Sequence, residues 1–397
     1  MSDAKNLKSD NSSLTLCKPD WDSTLAKTVI ELERLRVKKL GGPVPPYIFF
    51  QLKNIFQILE SLGSARIEGN RTTLAEFVEK IIENPEKKTG NESDLEIFNI
   101  ERAISFIEEN IRKDTPIRRS HISEVHKILV RDLTPPPGGE GSKYPGAFRP
   151  IQVVIRGSSH VPPDPLRVSE YVDELLEFVN RPTEPQQDLL TTALAHHRMA
   201  WIHPFDNGNG RLIRMFTYAL LIKQGFQVKA GRIINPTAIF CMDRQHYYDM
   251  LELADSGEKE NVLAWCEYVL TGLKSEIEKI DRLLDRDYLL KVILQPTLNF
   301  ALERKFITEQ EFAILRTVIS DQEMCVKSAD LKKILAGESS VQRSRIIKRL
   351  REKTMLIPLT KNGRIYTIGF ANNFLLRGII QILEQNSFIP RSLNQNR

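Results

Sequence analysis

Apolar residues recur at intervals of three and four along most of the chain, which is the pattern of amphipathic helices. Over residues 21–37, for example, Leu25, Val29, Leu32 and Leu35 share one face. The same spacing predicts further helices over residues 47–62, 72–82, 94–111, 117–129, 167–180, 188–201, 212–225, 243–254 and 260–273. The fold class expected from this pattern is therefore mainly α.

The pattern changes over residues 152–155, Gln-Val-Val-Ile, which are rich in β-forming side chains. Turn-forming residues lie on both sides, within 146–150 and 156–159. We expect a β-hairpin here that finds no sheet to join, so one strand edge stays open. By themselves these residues are typical of a surface hairpin stabilised by packing on the helices.

Composition places the chain among ordinary globular proteins. Its 397 residues suffice for two or three domains with separate cores, and 41% of them are hydrophobic and 27% charged. No run of 18 apolar residues suggests a membrane span, and residues 1–10 lack the apolar centre of a signal peptide. The four cysteines stand far apart, so we expect reduced thiols and a cytoplasmic protein without membrane contact.

Residues 203–214, His-Pro-Phe-Asp-Asn-Gly-Asn-Gly-Arg-Leu-Ile-Arg, combine a base with groups that bind phosphate. The turn can free backbone N–H groups for an anion at a helix N-terminus, those of Gly208, Asn209 and Gly210. Arg211 and Arg214, at i and i+3, share a helix face and can clamp phosphate oxygens. His203 suits a general base near neutral pH. Taken singly, these residues are equally typical of a Gly-rich turn with a capping histidine and solvated arginines; together they predict a polyphosphate site with a base beside it.

This segment resembles the signature of the Fic family, H-P-F-x-[D/E]-G-N-G-R-x-x-R, and departs from it at Asn207, where an acidic residue is usual. The resemblance implies a helical core with a β-hairpin flap, and transfer of AMP from ATP to a protein hydroxyl. It also implies that position 207 ligates Mg²⁺. Asn207 offers that ion a neutral and weaker ligand, and Asp206 could replace it only if the turn lets the carboxylate face inward.

A second Fic feature matches Ser64, Glu68 and Gly69, in the pattern [S/T]-x-x-x-E-[G/N]. From the residues alone, these positions are typical of a helical turn with a glycine stop. In the family this motif is inhibitory, and the resemblance implies that Glu68 pairs with Arg214 and competes with the γ-phosphate for it. A carboxylate there would remove the positive charge that the phosphate needs.

The resemblance also assigns residues around the nucleotide. It identifies the segment at 152–155 as the flap, which can align a target peptide by strand addition, and places Ile155, Arg156 and Gly157 near the nucleotide. It places Tyr247 and Tyr248 in the adenosine pocket, with Asp255 as a further member. Lone histidines elsewhere are interpreted as structural, namely His121, His126, His196 and His197.

The C-terminal part differs in character. Helices are predicted over 309–320, from 328 and over 341–352, and residues 357–368 are predicted to form a hairpin that turns at 361–363. This order resembles a winged helix-turn-helix. Its second helix is strongly basic, with Arg343, Arg345, Lys348, Arg349, Arg351 and Lys353. A DNA partner held through phosphates and a protein partner beside a solvated basic face remain equally compatible with the sequence.

The expected domains are a disordered stretch over 1–20, an N-terminal helical region with the inhibitory motif over 21–110, a Fic core over 111–275, a connecting helix over 276–300 and a winged-helix-like domain over 301–397. The expected function is protein adenylyl transfer with ATP and Mg²⁺, autoinhibited by Glu68, on a Ser, Thr or Tyr hydroxyl. Alternatives are removal of AMP from the target, transfer of phosphocholine or phosphate, and a DNA-binding regulator with a degenerate core. A homodimer is also compatible with the sequence.

Overall fold

The computed structural model describes residues 14–37, 44–83, 91–155, 157–226, 233–361 and 363–394. The helices, in chain order, are α1 (Thr24–Val37), α2 (Pro46–Ile67), α3 (Leu74–Glu83), α4 (Glu92–Asn110), α5 (Arg119–Leu129), α6 (Val168–Asn180), α7 (Pro185–Ile202), α8 (Asn209–Lys223), α9 (Thr237–Met242), α10 (Arg244–Ala254), α11 (Lys259–Asp281), α12 (Arg286–Tyr288), α13 (Gln295–Glu303), α14 (Glu309–Ser320), α15 (Ser328–Ile334), α16 (Ser340–Glu352) and α17 (Leu375–Gln385). The strands of the described residues are β1 (Cys325–Lys327), β2 (Leu356–Pro358) and β3 (Ile365–Ile368). The predicted mainly α fold class is confirmed.

The described residues divide into two compact units. The first is drawn from residues 1–38, 102–226 and 243–274, and the second from 39–101, 227–242 and 275–397.

The first unit is built around α8. This helix packs against α7 and α5, and α7 also packs against α6 and α1. Residues 211–222 of α8 are all buried, as expected for a central helix. The indole N–H of Trp265 donates to the carbonyl of Ala193 at 2.7 Å, which fastens α11 to α7. The Gly-rich turn is therefore followed by one of the most enclosed elements of this unit.

The second unit combines helices with a small sheet. Helix α2 packs against α9, and α13 packs against both α14 and α17. The sheet has the order β1-β3-β2 with antiparallel pairing throughout, and aligns Val326 with Tyr366 and Ile357 with Thr367. Helix α14 packs against β1 and β3.

The predicted C-terminal helices and the hairpin are present as α14, α15, α16 and the β2–β3 pair. The sequence did not predict β1, because three residues are too few to show a period. The order of elements is helix, strand, helix, helix, strand and strand. The identification of this module as a winged helix stays a prediction.

Two predicted helix boundaries are wrong. Helix α2 does not end near residue 62 but continues through Gly63 and Ser64 to Ile67. The connecting helix expected over 276–300 is broken after α11. There the Asp285 carboxylate accepts the N–H of Tyr288 at 2.8 Å and starts a new helical turn, and a π-helical segment precedes Pro296. A proline has no N–H to continue the regular helical ladder, which favours such an irregularity.

The predicted β-hairpin of the flap is also wrong for the described residues of this segment. Residues 152–155 form no strand. Two side chains instead join the first arm of the flap, residues 149–155, to its second arm, residues 157–163. Arg149 donates to the carbonyls of Ile151 and Pro163, and Gln152 donates to the carbonyl of Pro162 at 2.7 Å. Because Pro162 and Pro163 lack N–H groups, the second arm cannot supply the donors of a β-ladder.

Within the part of the chain that the structure describes, no helix has both the length and the apolar character needed to cross a bilayer.

Candidate active site

His203 stands where α7 ends. Its backbone has φ 48° and ψ 62°, in the left-handed region, and its N–H donates to the carbonyl of Met199 at 3.1 Å. Pro204 follows and cannot continue a helix. A left-handed residue at this position turns the chain sharply, as at many helix C-termini. The histidine is therefore held at the end of a packed helix, at the start of the Gly-rich turn.

The turn itself is closed by Asn209. Its side-chain amide accepts the N–H of Phe205 at 2.9 Å and donates to the carbonyl of the same residue at 2.8 Å. Gly208 has φ 77°, a left-handed conformation that favours glycine. An added Cβ would also lie 3.0 Å from a methyl group of Val130, so the space at this position favours glycine as well. The conformation of the turn is thus set by local chemistry that the sequence shows directly.

The turn presents the N-terminus of α8. The N–H of Leu212 donates to the carbonyl of Gly208 at 3.0 Å and starts the helical ladder. The N–H groups of Asn209, Gly210 and Arg211 lie ahead of that bond, where helix donors and the helix dipole favour an anion. Of the three residues predicted to form the nest, Gly208 has the left-handed backbone, whereas Asn209 and Gly210 already belong to the helix.

Both arginines of the signature are buried. Arg211 is 0% exposed and Arg214 is 1% exposed. The alternative of two solvated arginines is therefore wrong. Arg211 donates to the carbonyl of Glu140 at 2.6 Å, and the carboxylate of Glu140 lies 3.4 Å from the same guanidinium nitrogen. Two buried positive charges in the first turn and a half of α8 reinforce the anion-binding character of its N-terminus.

His126, for which the sequence predicted no functional role, supports the turn. The ring of His126 stacks on Phe205, with centroids 3.7 Å apart and an interplanar angle of 12°. Its Nδ1 accepts the N–H of Gly146 at 2.9 Å, so Nε2 carries the proton and donates to the carbonyl of Asn207 at 3.0 Å. Burial lowers the pKa of His126 to about 4, so the ring is neutral at physiological pH. No local pattern could have identified it, because it lies 81 residues from Asn207.

The two residues that could ligate Mg²⁺ are engaged elsewhere. The amide of Asn207 donates to the carbonyl of Gly141 at 3.0 Å. The Asp206 carboxylate accepts the hydroxyl of Ser142 and the backbone N–H of Lys143, the latter at 2.8 Å. Asp206 therefore anchors the loop at 142–143. A protein-bound Mg²⁺ usually has at least one carboxylate ligand, and these two residues do not fit that requirement.

The predicted adenosine residues are tied to the same helices. The Tyr247 hydroxyl is hydrogen-bonded to Nε2 of His196 at 2.9 Å, and Nδ1 of His196 to Thr217 at 2.7 Å. Burial, with the positive charge of Arg214 next, lowers the pKa of His196 well below its ordinary range. This places Tyr247 and Arg214 around one neutral histidine that bridges α7, α8 and α10.

Tyr248 and Asp255 complete that part of the site. The rings of Tyr247 and Tyr248 lie 5.3 Å apart, and Tyr248 is 37% exposed. Asp255 accepts Nε2–H of His197 at 2.8 Å, which fastens the end of α10 to α7. Tyr248 is the more exposed of the two tyrosines, and the guanidinium of Arg244 lies 5.4 Å from the centre of its ring.

The described flap residues lie close to α10. Gly157 has φ 78°, and the N–H of Ser158 donates to the carbonyl of Ile155 at 3.2 Å in a tight turn. The hydroxyl of Ser159 donates to Glu252 at 2.5 Å. Arg156 lies outside the described residues. The turn of the flap is thus attached to the helix that carries the two tyrosines.

The residues that match the inhibitory motif lie in the second unit. Ser64 is fully buried, Glu68 follows the last residue of α2, and Gly69 has φ 110°. The N–H groups of Glu68 and Gly69 donate to the carbonyls of Ala65 and Arg66, each at 3.1 Å. This geometry is that of a helix C-terminus stopped by glycine. The pairing of Glu68 with Arg214 stays a prediction.

Comparison with known proteins shows what this part of the chain resembles. Residues 116–221 match the model of the Fic/DOC family. The chain is 30% identical over 198 residues to the protein adenylyltransferase Fic of Drosophila grimshawi, a match that covers 49% of this chain and 37% of that protein. The corresponding protein of Aedes aegypti is 30% identical over 208 residues, covering 51% and 38%. The chain thus spans little more than a third of these curated relatives.

Solved structures agree on the fold. A Fic family protein from Desulfovibrio desulfuricans G20 superposes with a TM-score of 0.52 at 20% identity, covering 89% of this chain and 98% of that one. A Fic domain containing signaling protein from Bacteroides thetaiotaomicron has a TM-score of 0.51 at 19% identity, covering 66% and 98%. Residues 116–221 therefore resemble a Fic domain, as the signature predicted.

Proposed function

We propose that the protein is a nucleotidyltransferase that moves AMP from ATP to a hydroxyl group of a protein. One observation carries this proposal: a histidine at the left-handed end of α7 precedes the N-terminus of α8, whose first turns hold two buried arginines. This arrangement combines a base with a site for several phosphates. The relatives named protein adenylyltransferase support the same reaction.

In the proposed reaction, an imidazole nitrogen of His203 accepts the proton of a Ser, Thr or Tyr hydroxyl. The hydroxyl oxygen then forms a bond to the α-phosphorus of ATP. The bond from that phosphorus to the bridging oxygen breaks, and pyrophosphate leaves with the electron pair. A positioned general base contributes roughly 10²- to 10⁴-fold to such a step.

The α8 N-terminus stabilises the negative charge of the transferred and leaving phosphates. The N–H groups of Asn209, Gly210 and Arg211 point along the helix axis toward an anion, and Arg211 and Arg214 add two charges in a buried environment. Tyr247, Tyr248 and Asp255 are proposed to line the adenosine, and Ile155, Arg156 and Gly157 to cover it. ATP accordingly is the proposed co-substrate.

Mg²⁺ is the usual counterion of ATP and would spread the phosphate charge. At these positions the structure offers a neutral amide, that of Asn207, and one carboxylate, that of Asp206, which already accepts two hydrogen bonds from Ser142 and Lys143. We therefore assign no step of the reaction to the metal.

The test is incubation with ATP labelled at the α-phosphate and a cell lysate. We expect labelled protein with the wild type and none with His203→Ala. A matched control is His121→Ala, which removes a histidine of α5 whose ring accepts the N–H of Arg118. Labelling that persists in His203→Ala would refute the assignment of the base.

The same assay separates the related reactions. ATP labelled at the γ-phosphate would report phosphate transfer, and labelled CDP-choline would report phosphocholine transfer. Target protein loaded with labelled AMP would report removal of AMP. We expect transfer of the α-labelled group to dominate, because the N-terminus of α8 and its two arginines suit a triphosphate.

A second candidate function is DNA binding by the C-terminal module. Residues 325–368 contain eleven Lys and Arg against three Asp and Glu, a formal charge of +8, whereas the whole chain carries +5. Arg345, Lys348 and Arg351 of α16 are exposed. Arg349 and Lys353 instead pair with the buried Glu311, at 2.7 and 3.4 Å. A basic exposed helix followed by a hairpin favours contact with phosphates.

The cellular location and the oligomeric state of the protein are also proposed. The four cysteines are free thiols, which suits a reducing compartment and supports a cytoplasmic location. A homodimer is proposed as a further possibility and is tested by light scattering of the purified protein.

A further inference from the structure

Arg149 occupies an unusual place for a charged side chain. It is 1% exposed and is among the largest fully buried side chains of the described residues. Burial lowers the pKa of its guanidinium, and the nearby charge of Asp164 opposes that shift. An arginine keeps its charge in proteins, so this group needs acceptors on every side.

Two of its contacts hold the backbone at the proposed base. Nε–H of Arg149 donates to the carbonyl of His203 at 2.8 Å, and the backbone N–H of Arg149 donates to the carbonyl of Pro204 at 2.9 Å. A left-handed backbone costs a non-glycine residue about 1–2 kcal/mol and persists where the surroundings fix it. Arg149 supplies that fixation at the residue that turns the chain out of α7.

The other contacts hold the flap. Nη1–H donates to the carbonyl of Ile151 at 3.1 Å, and Nη2–H donates to the carbonyl of Pro163 at 2.6 Å. These carbonyls are twelve residues apart in the chain and belong to opposite arms of the flap. The planar fork of one guanidinium therefore joins the two ends of a segment whose described residues form no β-ladder.

We propose that Arg149 is a positioning residue that holds His203 and the two arms of the flap in one geometry. The inference rests on the proposed AMP transfer and extends it. The flap that covers the target and the base that receives its proton share a single charged anchor. A target hydroxyl held by the flap then meets the imidazole at a fixed distance, which is the condition for efficient proton transfer.

The contacts of Arg149 predict how its loss changes kcat, the KM for the protein target and the affinity for ATP. Phosphate binding depends on the N-terminus of α8 and on its arginines, and the hydrogen bonds of Arg149 to His203, Pro204, Ile151 and Pro163 involve neither of them. Loss of Arg149 should therefore raise KM for the protein target and lower kcat, each at least tenfold, while ATP affinity, to which the flap contributes only the cover over the adenosine, falls by a smaller factor than transfer does. Arg149→Lys should resemble Arg149→Ala, because an ammonium cannot span three carbonyls in one plane.

The experiment compares wild type, Arg149→Ala, Arg149→Lys and the control Arg181→Ala. Arg181 is a surface arginine of the same unit, 3.5 Å from Glu177. ATP affinity is measured by calorimetry, and AMP transfer by steady-state kinetics with and without millimolar guanidinium chloride. We expect added guanidinium, but not added ammonium, to restore part of the transfer by Arg149→Ala.

Hydrogen exchange gives a readout that is independent of activity. In Arg149→Ala, exchange should rise together in 150–163 and in the peptide that contains His203. Gln152→Ala removes the donor to Pro162 and should raise exchange in the flap alone, with a higher target KM and an unchanged kcat. This milder variant also tests the proposal if Arg149→Ala fails to fold.

The outcomes are distinguishable. Transfer by the wild type with unchanged kcat, KM and exchange in Arg149→Ala would overturn the inference, as would a loss of ATP affinity equal to the loss of transfer. Absence of transfer by the wild type would contradict the proposed function instead, and the exchange data would still decide whether Arg149 couples the two segments.

Discussion

At the scale of single residues, His126 shows how a neutral ring can fix a turn. Its Nδ1 accepts from Gly146 and its Nε2–H donates to Asn207, so protonation would place a second N–H against the N–H of Gly146. The ring also stacks on Phe205, with centroids 3.7 Å apart. The low pKa follows from this burial.

The titration of His126 predicts a pH-dependent stability. Its pKa is about 4 in the folded protein and near 6.5 in an unfolded chain, so the unfolded state binds the proton first as pH falls. The free energy of unfolding should therefore fall between pH 6.5 and about 4, by roughly 3 kcal/mol in total from this residue. Urea unfolding at several pH values measures it.

The matched variant is His126→Gln, which retains one amide donor but does not titrate. It should be less stable than the wild type at pH 7.5, and the difference should shrink toward pH 5. His246→Gln, at an exposed position, serves as the control. Parallel pH dependences of wild type and His126→Gln would contradict the assignment.

A second residue-scale prediction concerns Asn207. Replacing it by Asp adds the carboxylate that a Mg²⁺ site lacks and removes the donor to the carbonyl of Gly141. We expect Asn207→Asp to lower the Mg²⁺ concentration for half-maximal AMP transfer several-fold, at a cost of about 1 kcal/mol in stability. A Mg²⁺ titration of the labelling rate checks this.

The control for that titration is Asp206→Asn, which weakens the anchor to Ser142 and Lys143 without adding a charge. It should leave the half-maximal Mg²⁺ concentration unchanged or raise it. An identical Mg²⁺ dependence of wild type and Asn207→Asp would show that this position does not face the metal.

At the scale of elements, α2 holds the segment that carries Glu68. The buried Glu60 carboxylate accepts the N–H of Thr237 at 3.1 Å and joins α2 to α9. Arg66, in the last turn, donates to the carbonyl of Thr72 at 2.8 Å and to that of Ser392 at 3.0 Å. The end of α2 is therefore fixed within the second unit on both sides, and Glu68 follows directly.

If Glu68 is inhibitory, its removal should raise activity. We expect Glu68→Gly to increase AMP labelling at least tenfold, since the carboxylate would no longer compete for Arg214. Glu83→Gly, at the exposed end of α3, is the matched control and should label at the wild-type rate. An unchanged rate in Glu68→Gly, with an unchanged Tm, would refute autoinhibition by this residue.

The flap shows why a strand cannot be predicted from local sequence alone. Its β-forming residues 152–155 predicted a strand, yet a strand exists only where a partner supplies donors and acceptors. The facing arm begins with Pro162 and Pro163, and the side chains of Arg149 and Gln152 take up the carbonyls instead. Local propensity was overridden by the hydrogen-bonding capacity of a distant segment.

At the scale of the whole molecule, charge is distributed unevenly. Residues 325–368 carry +8, so the remaining residues together carry −3. An exposed basic helix in an otherwise slightly acidic chain concentrates any attraction to polyanions on one module. The net charge of +5 does not show this, because a sum does not reveal that +8 lies in one segment and −3 in the remaining residues.

This distribution predicts salt-dependent DNA binding. The triple variant Arg345→Gln, Lys348→Gln and Arg351→Gln should bind duplex DNA more weakly, and the slope of log affinity against log salt should fall by roughly 0.9 for each phosphate that the variant no longer neutralises. Band shifts at several salt concentrations measure both quantities. No binding by the wild type at low salt would remove the DNA proposal.

The control removes the same charge elsewhere, with Gln at Arg181, Lys259 and Lys291. It should bind with the wild-type slope. Equal weakening by both triple variants would indicate that only total charge matters and that α16 is not the binding helix.

The sequence by itself determined the mainly α fold, through the helical spacing of apolar residues, and the signature of the site, because His203 to Arg214 lie within one turn and one helix. Such features depend on neighbours a few residues apart. The tertiary structure alone decided the roles of His126 and Arg149, whose partners lie 81 and 54 residues away, and the absence of a flap strand in the described residues. These depend on which buried polar groups meet across the fold, since each buried donor and acceptor needs a partner that local sequence cannot identify.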